Sequence, residues 1–179
     1  RFVMTYPNEQ LPAGRPFRKS PAWSAMDAAG AQWGCSWGLE VPLMFAEQGF
    51  AETPTLRRSN AFELVAQECA AVREGVGLLD ISGFSRFEVT GPNAQAWLSR
   101  VMAGRLPVPG RARLAPMLAP SGRLKGDLTV FNWGDGRWWI MGSYYLRNWH
   151  MRWFDDHRTD GVEVRDIADA MVGFGLAGQ

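Results

Sequence analysis

The sequence has few of the residues that build metal centres and disulfide frameworks. Its 179 residues include two cysteines, Cys35 and Cys69, and two histidines, His150 and His157. The cysteines lie far apart with no C-x-x-C pair, and no second pair of metal ligands accompanies the histidines. These absences argue against a zinc site and a disulfide framework, and they favour two free thiols in a reducing compartment.

An excess of charge of one sign is also missing. Lysine and arginine together number 19, aspartate and glutamate 18, and the formal net charge is +1. Nucleic-acid binders normally carry a strong basic excess, so the composition argues against that class. No run approaches the roughly 18 apolar residues that a membrane helix needs, and no signal peptide is evident. We therefore predict neither a nucleic-acid partner nor a membrane partner.

Apolar and aromatic residues, in contrast, are plentiful. Apolar residues make up 46% of the chain, and nine of the residues are tryptophan. This supply is enough for the core of one ordinary domain with an added segment. Tryptophan combines a large buried area with a polar N–H, so we expect the indoles mainly in core and interface packing.

The first part of the chain, residues 1–58, shows no sustained periodicity. Proline restricts the backbone and interrupts regular elements. One short helix is predicted over residues 22–29, because Gly30 follows it and glycine commonly ends helices. Aromatic residues occur throughout, whereas disordered segments lack them. We predict an extended arm that packs on another body of protein; its prolines are Pro7, Pro12, Pro16, Pro21, Pro42 and Pro54.

From residue 59 onward, helical and strand patterns are clear. A helix is predicted after Ser59 or Asn60, with Asn60 and Glu63 at capping-box spacing, and another begins at Pro92. A further helix is predicted over residues 145–156. Strands are predicted over 78–82, 84–89, 111–118, 125–132, 138–141, 162–167 and 171–176. Hairpins mixed with helices, without strict alternation, predict an α+β fold in which an antiparallel sheet has flanking helices.

The closing residues GFGLAGQ have the spacing of a dinucleotide-binding turn. Gly173, Gly175 and Gly178 match G-x-G-x-x-G. That turn requires a helix after the glycines and an acidic residue about 20 positions further on, and neither follows here. The pattern therefore favours a sheet strand whose glycines allow another element to pack closely. Hydrolase and phosphate-loop motifs are absent from the sequence.

Asp127 is the residue of most chemical interest. It lies in the run LKGDLTVFN, which predicts a strand. Alternation places Leu128 and Val130 on one face and Asp127 with Thr129 on the other. A carboxylate in a half-buried sheet is costly unless something binds it, so the residue either holds a turn or an arginine, or serves a function.

Several stretches together resemble one enzyme family. They are NEQLPAGRPFRKSPAW, GLEVPLMFA, RRSNAFELVAQECAAVREGVGLLDISGFSRFEVTGPNAQAWL, PMLAPSGRLKGDLTV and GSYYLRNWHMRWF. They resemble the C-terminal half of FAD-dependent dimethylglycine and sarcosine dehydrogenases. That half carries a folate-binding domain similar to the aminomethyltransferase, or T-protein, of the glycine cleavage system. The resemblance covers nearly the whole chain, and its first two stretches belong to the dehydrogenases and not to free-standing T-proteins.

This resemblance implies a division of labour. A flavin half with bound FAD removes hydride from an N-methylated glycine and leaves an iminium, with no metal involved. The folate-binding half passes the one-carbon unit to tetrahydrofolate and gives 5,10-methylenetetrahydrofolate. The family's catalytic aspartate lies in the pattern G-x-x-x-x-D-L-T-V, which here makes Asp127 the catalytic residue. The positions that match the lining of the family's pterin pocket are Phe84, Thr129 and the backbone around Met141 and Gly142.

The resemblance also implies the domain organisation. Residues 1–58 correspond to an arm from the flavin half, and residues 59–179 to the N-terminal part of the folate-binding domain. The family normally reads L-x-G-P where this sequence reads LAGQ, and later strands supply a tyrosine and a glutamate to the folate site. We therefore expect a truncated domain with an incomplete folate pocket and no FAD of its own, inactive as a fragment.

Two alternative functions fit part of the pattern. One is a stand-alone folate-dependent aminomethyltransferase or demethylase, and the other is a non-catalytic folate-binding scaffold. The dehydrogenase-like arm at residues 8–46 argues against the first, and Asp127 in its full motif argues against the second. For such dehydrogenases the expected location is the bacterial cytoplasm, with the mitochondrial matrix as the alternative.

Overall fold

The computed structural model describes Tyr6 and residues 9–179, which belong to two compact units. The first unit comprises the described residues up to 83 together with 172–179, and the second comprises residues 84–171. The helices are α1 (Trp23–Ala28), α2 (Ala61–Glu74), α3 (Ala94–Val101) and α4 (Arg147–His157). The strands are β1 (Ala31–Ser36), β2 (Leu39–Phe45), β3 (Val76–Asp80), β4 (Phe84–Thr90), β5 (Arg111–Leu118), β6 (Leu124–Asn132), β7 (Trp138–Ser143), β8 (Glu163–Asp166) and β9 (Phe174–Gly178). The sequence-based boundary at residue 58 stays a prediction.

The first unit contains a hairpin that the sequence did not predict. Strands β1 and β2 are antiparallel neighbours within the segment expected to be an extended arm. Their two-residue turn is Trp37–Gly38, and both residues have positive φ, as hairpin turns require. Tryptophan is an unusual residue for this turn, and Pro42 lies inside β2, so the usual sequence signals for a hairpin are missing.

Helix α2 begins where its sequence pattern predicts, directly after Asn60, but the capping contacts at its start differ. The Asn60 side chain does not cap the helix; its Oδ1 accepts a 2.9 Å hydrogen bond from the backbone N–H of Thr53. The capping-box prediction is therefore wrong. The apolar stripe of the helix is only partly covered, since Phe62 remains 40% exposed and Val72 38% exposed.

Two glycines of the motif at the end of the sequence, Gly175 and Gly178, lie in a strand, as the pattern favours, and Gly173 directly precedes it. Strand β9 pairs antiparallel with β3, with Leu78 opposite Leu176. A Cβ at Gly178 would lie 2.1 Å from the carbonyl oxygen of Gly75. Only glycine fits such a close approach of two backbones, which confirms the structural interpretation of that residue.

The second unit is a five-stranded antiparallel sheet with helices on one face. Its strand order is β5-β6-β7-β4-β8, and the strands predicted over 111–118 and 125–132 form the antiparallel pair β5–β6. Helices α3 and α4 contribute Trp97, Leu98 and Phe154 to the core, where Phe154 meets Phe87 edge-on at 5.1 Å between ring centroids. This arrangement confirms the predicted α+β class.

No helix in the described part of the chain is both long enough and apolar enough to cross a membrane.

Candidate functional site

The central strands of the second unit give the sheet two different faces. One face packs against α3 and α4 and is buried; its residues on the three central strands are Ser85, Phe87, Val89, Gly126, Leu128, Val130, Trp138, Ile140 and Gly142. We call the opposite face the site face. It carries Phe84, Arg86, Glu88, Leu114, Pro116, Asp127, Thr129, Phe131, Trp139, Met141, Ser143 and Arg165.

Asp127 lies on the site face with its carboxylate exposed. Leu128 and Val130 are fully buried on the other face, which confirms the alternation predicted from sequence. Across the β5–β6 pair, Asp127 is opposite Pro116. No side chain in the described part of the chain forms a hydrogen bond or ion pair with this carboxylate. The carboxylate is therefore available to a ligand and does not hold a turn or an arginine.

Three other predicted site residues share this face. Thr129 is the Cα partner of Met141 across β6–β7, and both are half-buried. Met141 is in turn opposite Arg86 on β4, and Phe84 lies two residues before Arg86 along the same strand. Phe84 is 41% exposed. Directly opposite side chains in a sheet have Cβ atoms about 5 Å apart, so the fold brings Thr129 and Met141 into contact range.

Gly142 is the predicted site residue that faces the other way. It follows Met141 directly in a strand, so the two residues point to opposite faces. A Cβ at Gly142 would lie 2.4 Å from Cδ2 of Leu128 and 3.6 Å from Oγ of Ser85, on the helix side of the sheet. Only the backbone of Gly142 can therefore be reached from the site face. The role of that backbone in ligand binding stays a prediction.

The structure adds a charged group to the site face that sequence reasoning missed. Glu88 is 8% exposed, is ion-paired with Arg165, and accepts a 3.2 Å hydrogen bond from the indole N–H of Trp139. Bonding to Arg165 holds the pKa of Glu88 below its usual range, against the opposing effect of burial. Alternation along FSRFEV could have placed Glu88 beside Phe84, but Arg165 lies on a strand that only the fold brings alongside.

The buried face holds one group that the candidate site does not use directly. His150 on α4 is 1% exposed, and neither ring nitrogen has a hydrogen-bond partner. Burial lowers the pKa of His150, and the backbone of Lys125 opposes this shift more weakly. The imidazole is thus neutral near pH 7. Across Tyr6 and residues 9–179, no cluster of three or more histidine, cysteine or acidic side chains could hold a metal ion.

Comparisons with known proteins agree on one family. The family model of the GCVT N-terminal domain matches residues 22–179. A mitochondrial dimethylglycine dehydrogenase of Rattus norvegicus is 29% identical over 98% of this chain, and an aminomethyltransferase of Bordetella petrii is 32% identical over 86% of it. The crystal structure of the glycine cleavage system aminomethyltransferase T of Bartonella henselae superposes with a TM-score of 0.72 over 90% of the chain at 20% identity.

The chain spans only part of each of these relatives. It covers 21% of the rat dehydrogenase, 37% of the Bordetella aminomethyltransferase and 41% of the Bartonella structure. The structural match shows the same fold, in agreement with the α+β architecture described above. The sequence matches relate the chain to both dimethylglycine dehydrogenases and aminomethyltransferases, which are enzymes.

Proposed function

Because this chain belongs to the GCVT N-terminal domain family, we propose that it is the folate-binding portion of an FAD-dependent dehydrogenase of N-methylated glycines. In this proposal it transfers a one-carbon unit from an iminium to tetrahydrofolate, and FAD resides in a separate half. The match to the rat dimethylglycine dehydrogenase supports the choice, since it extends over 98% of the chain and the aminomethyltransferase match over 86%.

The single observation that carries the proposal is the unpaired carboxylate of Asp127 beside apolar side chains. Leu114 is 62% exposed and Phe84 41% exposed on the same face, and Met141 is half-buried between their strands. A flat ligand that is apolar on its faces and polar at its edge suits such a surface. The pterin ring of tetrahydrofolate has this character, so these residues fit the group, and Phe84, Thr129 and Met141 would hold it.

Tetrahydrofolate, when bound, supplies the nitrogen nucleophile for the one-carbon unit. Asp127 would accept a hydrogen bond from that N–H, which would orient the nitrogen lone pair toward the electrophilic carbon. The carboxylate would accept the proton as the new C–N bond forms and return it to the substrate nitrogen. The demethylated amine would then leave as its bond to the one-carbon unit breaks. The negative charge of Asp127 also stabilises the positive charge on the incoming one-carbon unit. Thr129, one alternation further along β6, is placed on the same face to support the carboxylate.

The alternative function is a folate-dependent aminomethyltransferase that works without flavin. The 32% identity with the Bordetella aminomethyltransferase favours this possibility. Both functions require Asp127, so a substitution there cannot separate them. The presence of flavin in the native polypeptide that contains this chain does separate them.

The test therefore begins with the visible absorption spectrum of that native polypeptide. Flavin bands that bleach with N-methylglycine or N,N-dimethylglycine support the dehydrogenase. A colourless protein that transfers one-carbon units supports the aminomethyltransferase instead. A colourless protein that binds tetrahydrofolate but transfers nothing leaves the scaffold function.

The role of Asp127 is tested by how the one-carbon unit divides between two products. Folate capture yields 5,10-methylenetetrahydrofolate, and hydrolysis of the iminium yields formaldehyde. Asp127→Asn should slow capture by a factor on the order of a hundred or more, while tetrahydrofolate binding measured by calorimetry is largely kept. Asp135→Asn is the matched control, because Asp135 lies in an exposed turn with Arg137. An unchanged capture rate in Asp127→Asn would overturn the catalytic assignment.

A further inference from the structure

The segment before Asp127 has limited support from the sheet itself. Pairing between β6 and β7 covers Thr129 to Asn132, so Asp127 lies outside that paired stretch. On the other side its partner is Pro116, whose carbonyl oxygen accepts a 2.7 Å hydrogen bond from the backbone N–H of Ala103. The backbone polar groups of a strand residue point to one side, so those of Pro116 face away from Asp127. Sheet pairing alone therefore fixes the backbone at Asp127 less firmly than it fixes the middle of β6.

A β-bulge at Lys125 turns that side chain away from the sheet register. The β5–β6 register pairs Met117 with Gly126 and Leu118 with Leu124, which leaves Lys125 without a Cα partner. Bulges re-aim the side chain of the extra residue. Here the Lys125 ammonium lies 4.8 Å from the ring centroid of Trp149 and 5.0 Å from that of Trp153, two residues of α4. Each indole face attracts the cation.

The same helix also contacts the residue next to Asp127. A Cβ at Gly126 would lie 2.8 Å from Nε2 of His150 and 3.3 Å from Cε of Met117. The imidazole therefore rests directly on the Gly126 backbone, and it is held there by complete burial and by Phe154, whose ring centroid is 6.4 Å away. Glycine at position 126 is what allows α4 to approach this closely.

We propose that helix α4 positions Asp127 by holding the two residues before it, Lys125 and Gly126. The holding side chains are Trp149, His150 and Trp153, which we call the α4 clamp. They belong to the helix that packs on the buried face of the sheet, opposite the site face, so they are positioning residues. The inference rests on the proposed function, because the position of Asp127 affects catalysis only if its carboxylate takes part in the reaction.

Lys125→Met, made in the native polypeptide that contains this chain, is the first test, because methionine keeps an unbranched stem and removes the cation. In this variant the backbone amides of residues 124–128 should exchange hydrogen for deuterium faster, while those of β4 and β7 keep their protection. Capture of the one-carbon unit at saturating tetrahydrofolate should fall by about tenfold, since small misplacements of a catalytic group are costly. The tetrahydrofolate concentration for half-maximal capture should change little.

Conservative and matched variants separate positioning from general damage. Lys125→Arg keeps a cation over the two indoles and should restore most of the capture rate. Lys19→Met is the matched control, because the Lys19 ammonium lies 3.5 Å from the ring centroid of Trp23 in the other unit. It should leave capture and local exchange unchanged. Trp149→Leu removes one of the two indoles that face the cation and should change exchange and capture in the same direction as Lys125→Met. Agreement between the two variants guards against a folding defect in either one.

The outcomes distinguish this inference from the proposed function. Faster local exchange together with slower capture in Lys125→Met supports the clamp. Unchanged exchange, or undiminished capture while Asp127→Asn is slow, overturns the clamp and leaves the proposed function standing. Wild-type capture by Asp127→Asn rejects the catalytic carboxylate and the clamp with it. A loss of tetrahydrofolate affinity with an unchanged maximal rate also overturns the positioning role.

Discussion

The indole N–H of Trp97 donates a 2.7 Å hydrogen bond to the backbone carbonyl oxygen of His157, the last residue of α4. The carbonyl belongs to the last turn of a helix, where backbone oxygens have no partner within the helix. Arg100 donates to the same oxygen at 3.2 Å. The contact thus joins the C-terminal end of α4 to α3 and satisfies an otherwise free carbonyl.

Trp97→Phe should lower the free energy of unfolding by about 1 kcal/mol, the usual net value of one such hydrogen bond. Phenylalanine keeps most of the apolar contact with Phe154, whose ring centroid is 5.8 Å from that of Trp97. Urea denaturation measures the change. A Trp97→Phe variant as stable as the wild type would mean that Arg100 alone satisfies the carbonyl of His157.

The stability of the second unit should fall as the pH drops through the range where His150 titrates. Because burial lowers the pKa of His150, the folded state binds fewer protons there than the unfolded state. The stabilising contribution is complete above the unfolded pKa of about 6.5 and is lost as the pH falls toward the lowered folded value. One group of this kind contributes a slope of at most about 1.4 kcal/mol per pH unit.

Urea denaturation at several pH values between 5 and 8 measures this slope. His150→Gln should flatten it, because glutamine does not titrate. A matched His157→Gln variant controls for the replacement of a histidine of α4 by glutamine. An equal slope in wild type and His150→Gln would contradict the burial argument.

Gly142→Ala should destabilise the sheet by about 1–3 kcal/mol, the usual cost of an extra methyl group in a packed core. The new Cβ would lie 2.4 Å from Cδ2 of Leu128, a side chain with no exposed surface that has little room to move. Gly83→Ala is the control, since a Cβ there meets only ordinary contacts at 3.8 Å or more. Thermal melts of the two variants should therefore differ, and equal midpoints would show that Leu128 repacks freely.

Arg165→Gln should lower the urea midpoint more than Arg158→Gln does. The partner of Arg165 is the buried carboxylate of Glu88, whereas Arg158 pairs at 3.5 Å with the exposed carboxylate of Asp155. Loss of a cation costs more when it leaves a buried acceptor without its main partner. The hydrogen bond from Arg165 also lowers the pKa of Glu88. The ion pair therefore stabilises the fold at pH values above 4.5, the ordinary pKa of a glutamate, and this stabilisation is lost as the pH falls below that value. The Arg165→Gln deficit should therefore shrink in acid.

Local patterns predicted most of the elements of the second unit. The helix predicted from Pro92, the strands predicted over 111–118 and 125–132, and the alternation around Asp127 all rest on steric rules that act within a few residues. The same rules failed at the β1–β2 hairpin, because Trp37 occupies a position where asparagine or glycine is usual. They also assigned a capping role to Asn60 that a contact with Thr53 replaces.

Some residues of the candidate site were likewise predictable from local sequence, and others were not. Its catalytic candidate, Asp127, was found from a short motif, and Thr129 follows from alternation along one strand. Phe84 and Met141 were placed near it only through a family resemblance. Glu88 escaped notice because its significance depends on Arg165, a residue far away in sequence.

By itself, the sequence determined which segments of the second unit form its helices and strands and which residues of β6 share a face with Asp127. These properties follow from backbone geometry and from side-chain periodicity, which act locally. Only the tertiary structure decided that β4 lies between β7 and β8, that Gly142 faces the helices, and that α4 rests on Gly126 and Lys125. Such contacts join residues distant along the chain, and their free energy comes from the burial of side chains that no local pattern can pair.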